Sequence, residues 1–280
     1  MKAIKFTKMV ASGNDFIITE LKGRGPALRN LVRHMCDRRY GIGADGLLLL
    51  EKSKKADIRM RIFNVDGSEA QMCGNGARCV ALRVARHKSP ARSKVSIETA
   101  AGIIESRVNG DNVKIKLTDP RDIKLDIPVK VNNRKLKVNF TDTGVPHVII
   151  FVQGLDKIDA LNLGRIIRYH KKFAPRGTNV NFVEVLNKNA IKIRTYERGV
   201  EDETLACGTG AVAASLISNI KYPCLSGRQE ISNTVENYKM NVYTKSGEIL
   251  KVCFTRQGNK FSDVWLEGRV KVVHEGVYYV

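Results

Sequence analysis

Short runs of apolar residues, either continuous or alternating with polar ones, follow one another along most of this chain and predict β-strands. The turn signal Asn109-Gly110-Asp111 between two of these runs predicts a β-hairpin. In the first part of the chain, strands are predicted at residues 3–9, 16–19, 47–51, 57–65, 95–99, 103–108 and 113–117. In the second part, they are predicted at residues 135–141, 148–152, 180–186, 191–197, 239–244 and 249–254.

Four segments show helical patterns instead. Residues 26–36 are predicted to form a helix, with Pro26 in the first turn, where proline is tolerated. Residues 161–171 have apolar positions on one side and a basic end. Apolar stretches at 78–87 and 212–220 complete the set, whereas residues 221–237 have only a weak pattern.

The last two of these helical stretches follow two copies of one signature, E-x-x-x-C-G-x-G-A. The copies occupy residues 69–77 and 203–211, and their cysteines, Cys73 and Cys207, are 207 − 73 = 134 residues apart. A glycine turn at 13–16 has a looser counterpart at 144–147, and Asn64 before Cys73 parallels Glu197 before Cys207. The repeat predicts two similar halves that change over near residues 119–120.

Composition fits an ordinary globular protein, with 280 residues of which 43% are hydrophobic and 27% charged. This length suffices for two domains of ordinary size. The sequence has no apolar run of 18 or more residues, and residues 1–6 alternate like a strand rather than forming a signal peptide. We therefore expect a cytoplasmic protein.

The net charge of +20 is the strongest compositional feature. It is compatible with a nucleic acid, an anionic membrane surface or an acidic substrate as partner. The basic residues are scattered, however, and the aromatic residues, at 6%, do not alternate with them as in a stacking platform. A basic solvated surface is the favoured interpretation, and binding of polyanions at low salt is the alternative.

The six cysteines include no C-x-x-C pair, and the spacing of Cys73 and Cys79 does not favour a zinc site. We expect the four cysteines other than Cys73 and Cys207 to be inert, partly buried thiols; these are Cys36, Cys79, Cys224 and Cys253.

A cysteine followed by glycines at a helix start has a specific chemical potential. The first helical turn has unpaired N–H groups and a partial positive charge, so it can bind a carboxylate and favour a thiolate. One such cysteine is usually only a small residue in a tight turn, but two copies in a repeat favour catalysis. Two thiols on opposite faces of an amino acid could move the α-proton from one face to the other, and this chemistry needs no metal or cofactor.

Other polar residues near the signatures allow two interpretations. His147 is either a turn or packing residue or part of the site, and Glu197 with Arg198 is either an exposed pair or part of the pocket lining. Asparagines favour turns by their own chemistry, yet they would also suit a zwitterionic ligand as hydrogen-bonding groups. The candidates are Asn14, Asn64, Asn75 and Asn179.

Long motifs in both halves resemble the diaminopimelate epimerases. They are residues 6–9 (FTKM), 13–16 (GNDF), 36–46 (CDRRYGIGADG), 63–78 (FNVDGSEAQMCGNGAR), 177–182 (GTNVNF) and 196–210 (YERGVEDETLACGTG). The resemblance implies a cofactor-independent enzyme that interconverts LL- and meso-diaminopimelate for lysine and peptidoglycan synthesis. It implies two pseudo-symmetric α/β domains of the α+β type, each a mostly antiparallel curled sheet around a central helix, with the active site between them. The domains would be residues 1–118 plus 264–280 and residues 119–263, in a homodimer.

The family pattern also implies roles for individual residues. Cys73 and Cys207 would be the acid/base pair, and His147 and Glu197 would tune them and hold the reacting amino group. The reacting carboxylate would be held by Gly74, Asn75, Gly208 and Thr209. The rest of the substrate would be held by Asn14, Asn64, Asn179 and Arg198.

Two positions depart from the family pattern. Val145 stands where many members have asparagine, and Gly46 where some have glutamine, so the substrate is less certain than the chemistry.

Three other functions stay open. The nearest alternative is a proline racemase-like enzyme with another amino acid as substrate, although Arg198 and the asparagines favour a substrate with a second charged end. A basic nucleic-acid-binding protein and a thiol redox protein using Cys73 and Cys207 are the others.

Overall fold

The computed structural model describes residues 3–21, 25–87, 93–132, 134–222 and 234–280. It divides into two compact units, the first comprising Met1–Lys116 with Glu267–Val280 and the second Leu117–Leu266. Strands predominate in both units, and each unit has one deeply buried helix. Within the described ranges, no helix is long and apolar enough to cross a membrane.

The first unit has a mostly antiparallel sheet. Strand β1 pairs antiparallel with β2, β2 runs parallel to β3, and β3 is antiparallel to β4, which also runs parallel to β6. Strands β6, β7 and β8 form an antiparallel meander. Its elements are β1 (Ala3–Ala11), β2 (Asn14–Thr19), α1 (Pro26–Cys36), β3 (Gly46–Glu51), β4 (Ile58–Asn64), β5 (Glu69–Ala70), α2 (Gly74–His87), β6 (Lys94–Thr99), β7 (Gly102–Asn109) and β8 (Asn112–Lys116).

The second unit repeats this order of elements. Strands β10 and β11 are antiparallel, β11 runs parallel to β12, and β12 is antiparallel to β13, as for β1 to β4. Its elements are β9 (Arg121–Val131), β10 (Arg134–Asp142), β11 (Pro146–Phe151), α3 (Ala160–Arg168), β12 (Asn179–Asn187), β13 (Ala190–Glu197), β14 (Asp202–Thr204), α4 (Gly208–Lys221), β15 (Glu236–Tyr243) and β16 (Ile249–Gln257). Strand β17 (Lys260–Tyr279) begins in the second unit, and its last part pairs with β1 in the first.

Each unit is organised around one helix that is buried on all sides. In the first unit, α2 packs against β1, β2, β4, β6, β7 and β8, and every residue from Asn75 to Leu82 is buried. In the second unit, α4 packs against β10, β11, β12, β13, β15 and β16, and every residue from Gly210 to Ser218 is buried. A helix surrounded by strands has no solvent-facing side, which explains why alanine, glycine and valine dominate both helices. The predicted fold class, two pseudo-symmetric α+β units with mostly antiparallel sheets around central helices, is confirmed.

The predicted helices agree with the structure most closely at α1, which has the predicted bounds. Helices α2 and α4 begin at Gly74 and Gly208, each four residues before the predicted start, because packing against the surrounding strands stabilises glycine-rich first turns that have low helix propensity. The helix predicted at 161–171 ends at Arg168. The stretch 221–237 had only a weak pattern. Part of it, residues 223–233 with Cys224, lies outside the described residues, and β15 begins at Glu236.

Candidate active site

The two signature cysteines stand at equivalent places in the two units, immediately before the central helices. The Gly76 N–H points at Cys73 Sγ at 3.4 Å, and the Ala77 N–H donates to the Cys73 carbonyl at 2.9 Å. In the second unit, Cys207 is the N-cap residue of α4, and the Ala211 N–H donates to its carbonyl at 2.9 Å. The predicted position of each thiol at a helix N-terminus is therefore confirmed.

Glycines beside each cysteine allow the helix start to lie close to other atoms. A Cβ at Gly210 would collide with Asn181 Oδ1 and would lie 3.3 Å from Cys207 Sγ. A Cβ at Gly208 would lie 2.8 Å from Leu266 Cδ2. The N–H groups of the first turn have no acceptor within the helix, so both helix starts can bind an anion such as a carboxylate.

One side chain, that of Thr209, connects the second cysteine to a buried histidine. His147, on β11, has none of its surface exposed. Its Nε2 lies 2.9 Å from Thr209 Oγ1, which in turn lies 3.5 Å from Cys207 Sγ. His147 and Thr209, two residues that sequence reasoning suggested separately, thus form one hydrogen-bonded path to the sulfur.

Burial determines the protonation of this path. Burial, together with the nearby charge of Glu197, raises the pKa of Cys207 to about 12, against smaller opposing effects of the Thr209 hydroxyl and the first-turn N–H groups. The expectation that the helix start would favour a thiolate is therefore wrong for Cys207 in the free protein, because loss of hydration outweighs the helix field. Burial, together with the charge of Arg198, lowers the pKa of His147 to about 3. Cys207 is thus a thiol and His147 a neutral imidazole at neutral pH.

Glu197 gives a direct test of the electrostatics at Cys207. Removing its charge in Glu197→Gln lowers the pKa of Cys207, because the carboxylate opposes ionisation of the thiol. We expect Cys207 to be alkylated by iodoacetamide several-fold faster at pH 8 in this variant, measured by mass spectrometry of the Cys207 peptide. The control is Asp156→Asn, which removes an exposed carboxylate of the same unit that pairs with Lys192. Unchanged or slower alkylation of Cys207 in Glu197→Gln would contradict the assignment.

Arg198 follows Glu197 at the end of β13 and is anchored through its backbone. Its N–H donates to Asn179 Oδ1 at 2.9 Å, and the Asn179 amide donates to the Pro146 carbonyl at 3.0 Å. Burial lowers the pKa of Arg198, and the neighbouring cations Arg168 and Arg176 lower it further. Glu201 pairs with Arg168 and Asp142 with Arg176, so these carboxylates oppose the repulsion, and an anionic group bound at Arg198 would relieve it further.

In the first unit, the candidate residues Asn14 and Asn75 are bonded to each other. Asn75 Nδ2 donates to Asn14 Oδ1 at 2.6 Å, and Asn14 Nδ2 donates to Asp45 at 3.2 Å. Arg78 donates to Asn75 Oδ1 and to Ser12 Oγ, both at 2.7 Å, and it is fully buried within α2. Sequence reasoning did not name Arg78, although a cation next to the apolar residues of the first helical turns signals a buried polar contact.

Asn64 stays apart from this bonded set. It ends β4, its amide donates to Ser68 Oγ at 3.0 Å, and it is exposed. Gly46 is opposite Asn64 in the strand pairing, so the position where relatives can have glutamine borders this polar strand end.

The remaining cysteines divide by burial. Cys36 and Cys79 are buried, Cys253 is partly buried, and burial raises the pKa of Cys36 to about 11. Throughout the part of the chain that the structure describes, no three His, Cys, Asp or Glu side chains are grouped so that they could hold a metal ion.

Solved structures place the fold in a known class. A phenazine biosynthesis protein of the PhzF family from Bacillus anthracis is similar with a TM-score of 0.74 and 18% identity, over 100% of both chains. A hydroxyproline epimerase from Agrobacterium vitis is similar with a TM-score of 0.67 and 15% identity, over 99% of this chain and 92% of that one. The fold is the one shared by these epimerases, racemases and PhzF proteins.

Sequence comparison gives the family. The family model described as diaminopimelate epimerase matches residues 6–122 and 140–262. The diaminopimelate epimerase of Aquifex aeolicus is 40% identical, over 98% of this chain and 97% of its own length. That of Hydrogenobaculum sp. is 42% identical, over 97% of both chains. The chain belongs to the diaminopimelate epimerase family and is an isomerase.

Proposed function

We propose that this protein is a diaminopimelate epimerase, which inverts one α-carbon to interconvert LL- and meso-2,6-diaminopimelate. The observation that carries the proposal is the duplicated half-site, one cysteine before a buried helix in each unit, in a chain about 40% identical to diaminopimelate epimerases over nearly its full length. The activity would serve lysine and peptidoglycan precursor synthesis in the cytoplasm. We place the two epimerase halves at residues 1–118 with 264–280 and at residues 119–263, in a protein that acts as a homodimer.

The reaction needs one base and one acid at the α-carbon. A thiolate removes the α-proton, so the C–H bond breaks and an S–H bond forms, and the other thiol donates its proton to the opposite face of the carbanion. Cys73 and Cys207 perform these two steps and exchange protonation states in each turnover. Because burial raises the pKa of Cys207, Cys207 is suited to start as the acid in the free protein.

The carbanion places negative charge on the adjacent carboxylate, which the two helix starts stabilise. The first-turn N–H groups of Gly74 and Asn75 at α2 and of Gly208 and Thr209 at α4 donate to its oxygens. Preorganised N–H donors aimed at developing charge supply several kcal/mol in other enzymes of this kind of chemistry. Glu197 raises the pKa of Cys207 and holds the reacting ammonium group, whereas His147, with both ring nitrogens hydrogen-bonded, acts on Cys207 through Thr209.

The distal end of the substrate carries a second carboxylate and a second ammonium group. Arg198 binds the distal carboxylate, supported by its position among other arginines. Asn14, Asn64 and Asn179 accept from or donate to the distal groups. Val145 offers only its backbone in place of an asparagine amide, so this contact to the distal end falls to a bridging water or to a neighbouring group.

Solvent isotope incorporation tests the proposal. We expect the reduced protein in D2O, without added cofactor, to convert LL-diaminopimelate to the meso form with deuterium at the inverted α-carbon, read by chiral chromatography and NMR. Proline and hydroxyproline are incubated in parallel, because the similar solved structures include enzymes acting on such imino acids. Conversion of these compounds but not of diaminopimelate would favour the proline racemase-like alternative. Inactivity on the whole panel, with tight salt-dependent binding of DNA or RNA, would favour the nucleic-acid alternative, and cycling between dithiol and disulfide with a thiol donor would favour the redox alternative.

A further inference from the structure

The two units differ at one buried position that faces the cysteine helix. In the first unit, a Cβ at Gly76 would lie 3.1 Å from Leu48 Cδ2 on β3. In the second, the corresponding Gly210 faces Asn181 on β12. Leu48 pairs with Ile18 on the parallel neighbouring strand, and Asn181 with Ile149 in the same way. An amide therefore replaces an apolar side chain at a fully buried position, which is costly unless its hydrogen bonds are satisfied.

The hydrogen bonds of Asn181 determine which way its amide points. Its Nδ2 donates to the Val148 carbonyl at 2.9 Å, and this carbonyl oxygen can only accept. Its Oδ1 accepts from Thr195 Oγ1 at 3.0 Å. The NH₂ group therefore faces His147 Nδ1 at 3.1 Å, and Nδ1 must be the acceptor in this contact.

A neutral imidazole that accepts at Nδ1 carries its proton on Nε2. Nε2–H then donates to Thr209 Oγ1 at 2.9 Å, so the Thr209 hydroxyl hydrogen is available for Cys207 Sγ at 3.5 Å. The charged groups around this path are Arg198, which lowers the pKa of His147, and Glu197, which raises that of Cys207. The hydrogen-bond donors of this path, from Asn181 through His147 to Thr209, are thus all directed toward Cys207 Sγ.

We propose that Asn181 is a positioning residue that holds His147 in the Nε2–H tautomer and thereby directs the Thr209 hydroxyl to donate to Cys207. This donation stabilises the Cys207 thiolate, which forms whenever Cys207 has given its proton to the carbanion. Leu48 offers no hydrogen bond at the equivalent place, so the two thiols are supported unequally. The consequence for turnover rests on the proposed function, whereas the tautomer and the reactivity of Cys207 do not.

Two substitutions of Asn181 test its effect on the tautomer of His147. Asn181→Leu installs the residue that the first unit uses at this place, and it removes the donor to His147 Nδ1. Asn181→Asp places a carboxylate against Nδ1, which favours a proton there and turns Nε2 into an acceptor for the Thr209 hydroxyl. The matched control is Asn139→Leu, because Asn139 is also buried and donates to the Ile149 carbonyl from the other side of β11, at 3.3 Å, without contacting His147.

The first readout is ¹⁵N NMR of the histidine rings, with His147→Gln assigning the signal. We expect the Nε2–H form in the wild type and in Asn139→Leu, and a protonated Nδ1 in Asn181→Asp. The second readout is the pH dependence of iodoacetamide alkylation at Cys207. We expect this profile to move to higher pH in both Asn181 variants. The alkylation profile of Cys73 should stay unchanged. For epimerisation, kcat is expected to fall about tenfold or more in both variants, with KM within about twofold, since the lost interaction forms with the thiolate.

Two results would overturn the proposal. One is an Nδ1–H tautomer in the wild type, and the other is an unchanged Cys207 alkylation profile in folded Asn181→Leu. If Asn181→Leu does not fold, Thr195→Val removes only the hydroxyl that holds Asn181 Oδ1, and it must then weaken the preference for the Nε2–H form. A wild type that shows the expected tautomer and profile but does not epimerise diaminopimelate would refute the proposed substrate and leave the role of Asn181 standing.

Discussion

Replacing either signature cysteine by alanine is expected to abolish inversion at the α-carbon while leaving part of the proton exchange. Inversion needs a base on one face and an acid on the other, so Cys73→Ala and Cys207→Ala should each lower its rate by about 10²- to 10⁴-fold or more, the range for a lost acid/base group. The remaining thiol can still remove the proton on its own face and return a solvent proton to the same face. Each variant should therefore exchange the α-proton of one stereoisomer without inverting it.

The measurement is deuterium uptake from D2O into LL- and meso-diaminopimelate, followed separately for the two variants. The two variants should show opposite preferences for the stereoisomer that exchanges, because their remaining thiols act on opposite faces. Cys253→Ala is the control, since Cys253 is a partly buried cysteine on β16 outside both helix starts. Full inversion by either signature variant, or exchange of the same stereoisomer by both, would refute the two-thiol mechanism.

Replacing Arg198 by alanine should weaken binding of the distal carboxylate and leave the chemistry at the other end in place. Truncating one partner of a buried charge pair typically costs about 2–5 kcal/mol, so kcat/KM for diaminopimelate should fall by roughly 30- to 5,000-fold, mostly through KM. The loss should be larger than for a surface arginine, because Arg198 is anchored by Asn179 and lies near Arg168 and Arg176.

L-Lysine makes this measurement specific, because it is LL-diaminopimelate without the distal carboxylate. We expect lysine to inhibit the wild type and Arg198→Ala with similar inhibition constants, while KM for diaminopimelate rises only in the variant. Arg165→Ala, an exposed arginine on α3, is the control and should leave both constants within about twofold of the wild type, as is usual for surface substitutions. Equal losses for lysine and diaminopimelate would mean that Arg198 does not bind the distal carboxylate.

Much of the fold was predictable from local patterns. Helix α1 was predicted at its observed bounds because a proline start, an apolar face and an apolar end all lie within one short segment. Strand β9 was missed although apolar residues alternate with other residues from Ile123 to Val131; Pro128 interrupts this run, and most of the side chains are exposed. A proline inside an alternating run weakens a strand prediction, and antiparallel pairing with the neighbouring β10 overrides it here.

The candidate site was predictable only as far as its residues repeat. The duplicated signature identified Cys73 and Cys207, and the turn repeat pointed to His147. Asn181 and Arg78 were missed because one lies in an ordinary strand pattern and the other in an apolar helix pattern. Their importance comes from contacts with residues 34 and 66 positions away along the chain, which no local pattern encodes.

By itself, the amino-acid sequence determined that the protein has two similar halves, that each places a thiol before a buried helix, and to which family the chain belongs. It could do so because repeats, glycine-rich helix starts and long motifs are properties of neighbouring residues. Only the tertiary structure decided that burial raises the pKa of Cys207 and that His147 lies within hydrogen-bonding distance of Thr209 and Asn181. Both depend on the removal of water and on the direction of hydrogen bonds, which form when distant strands and a helix pack around the same atoms.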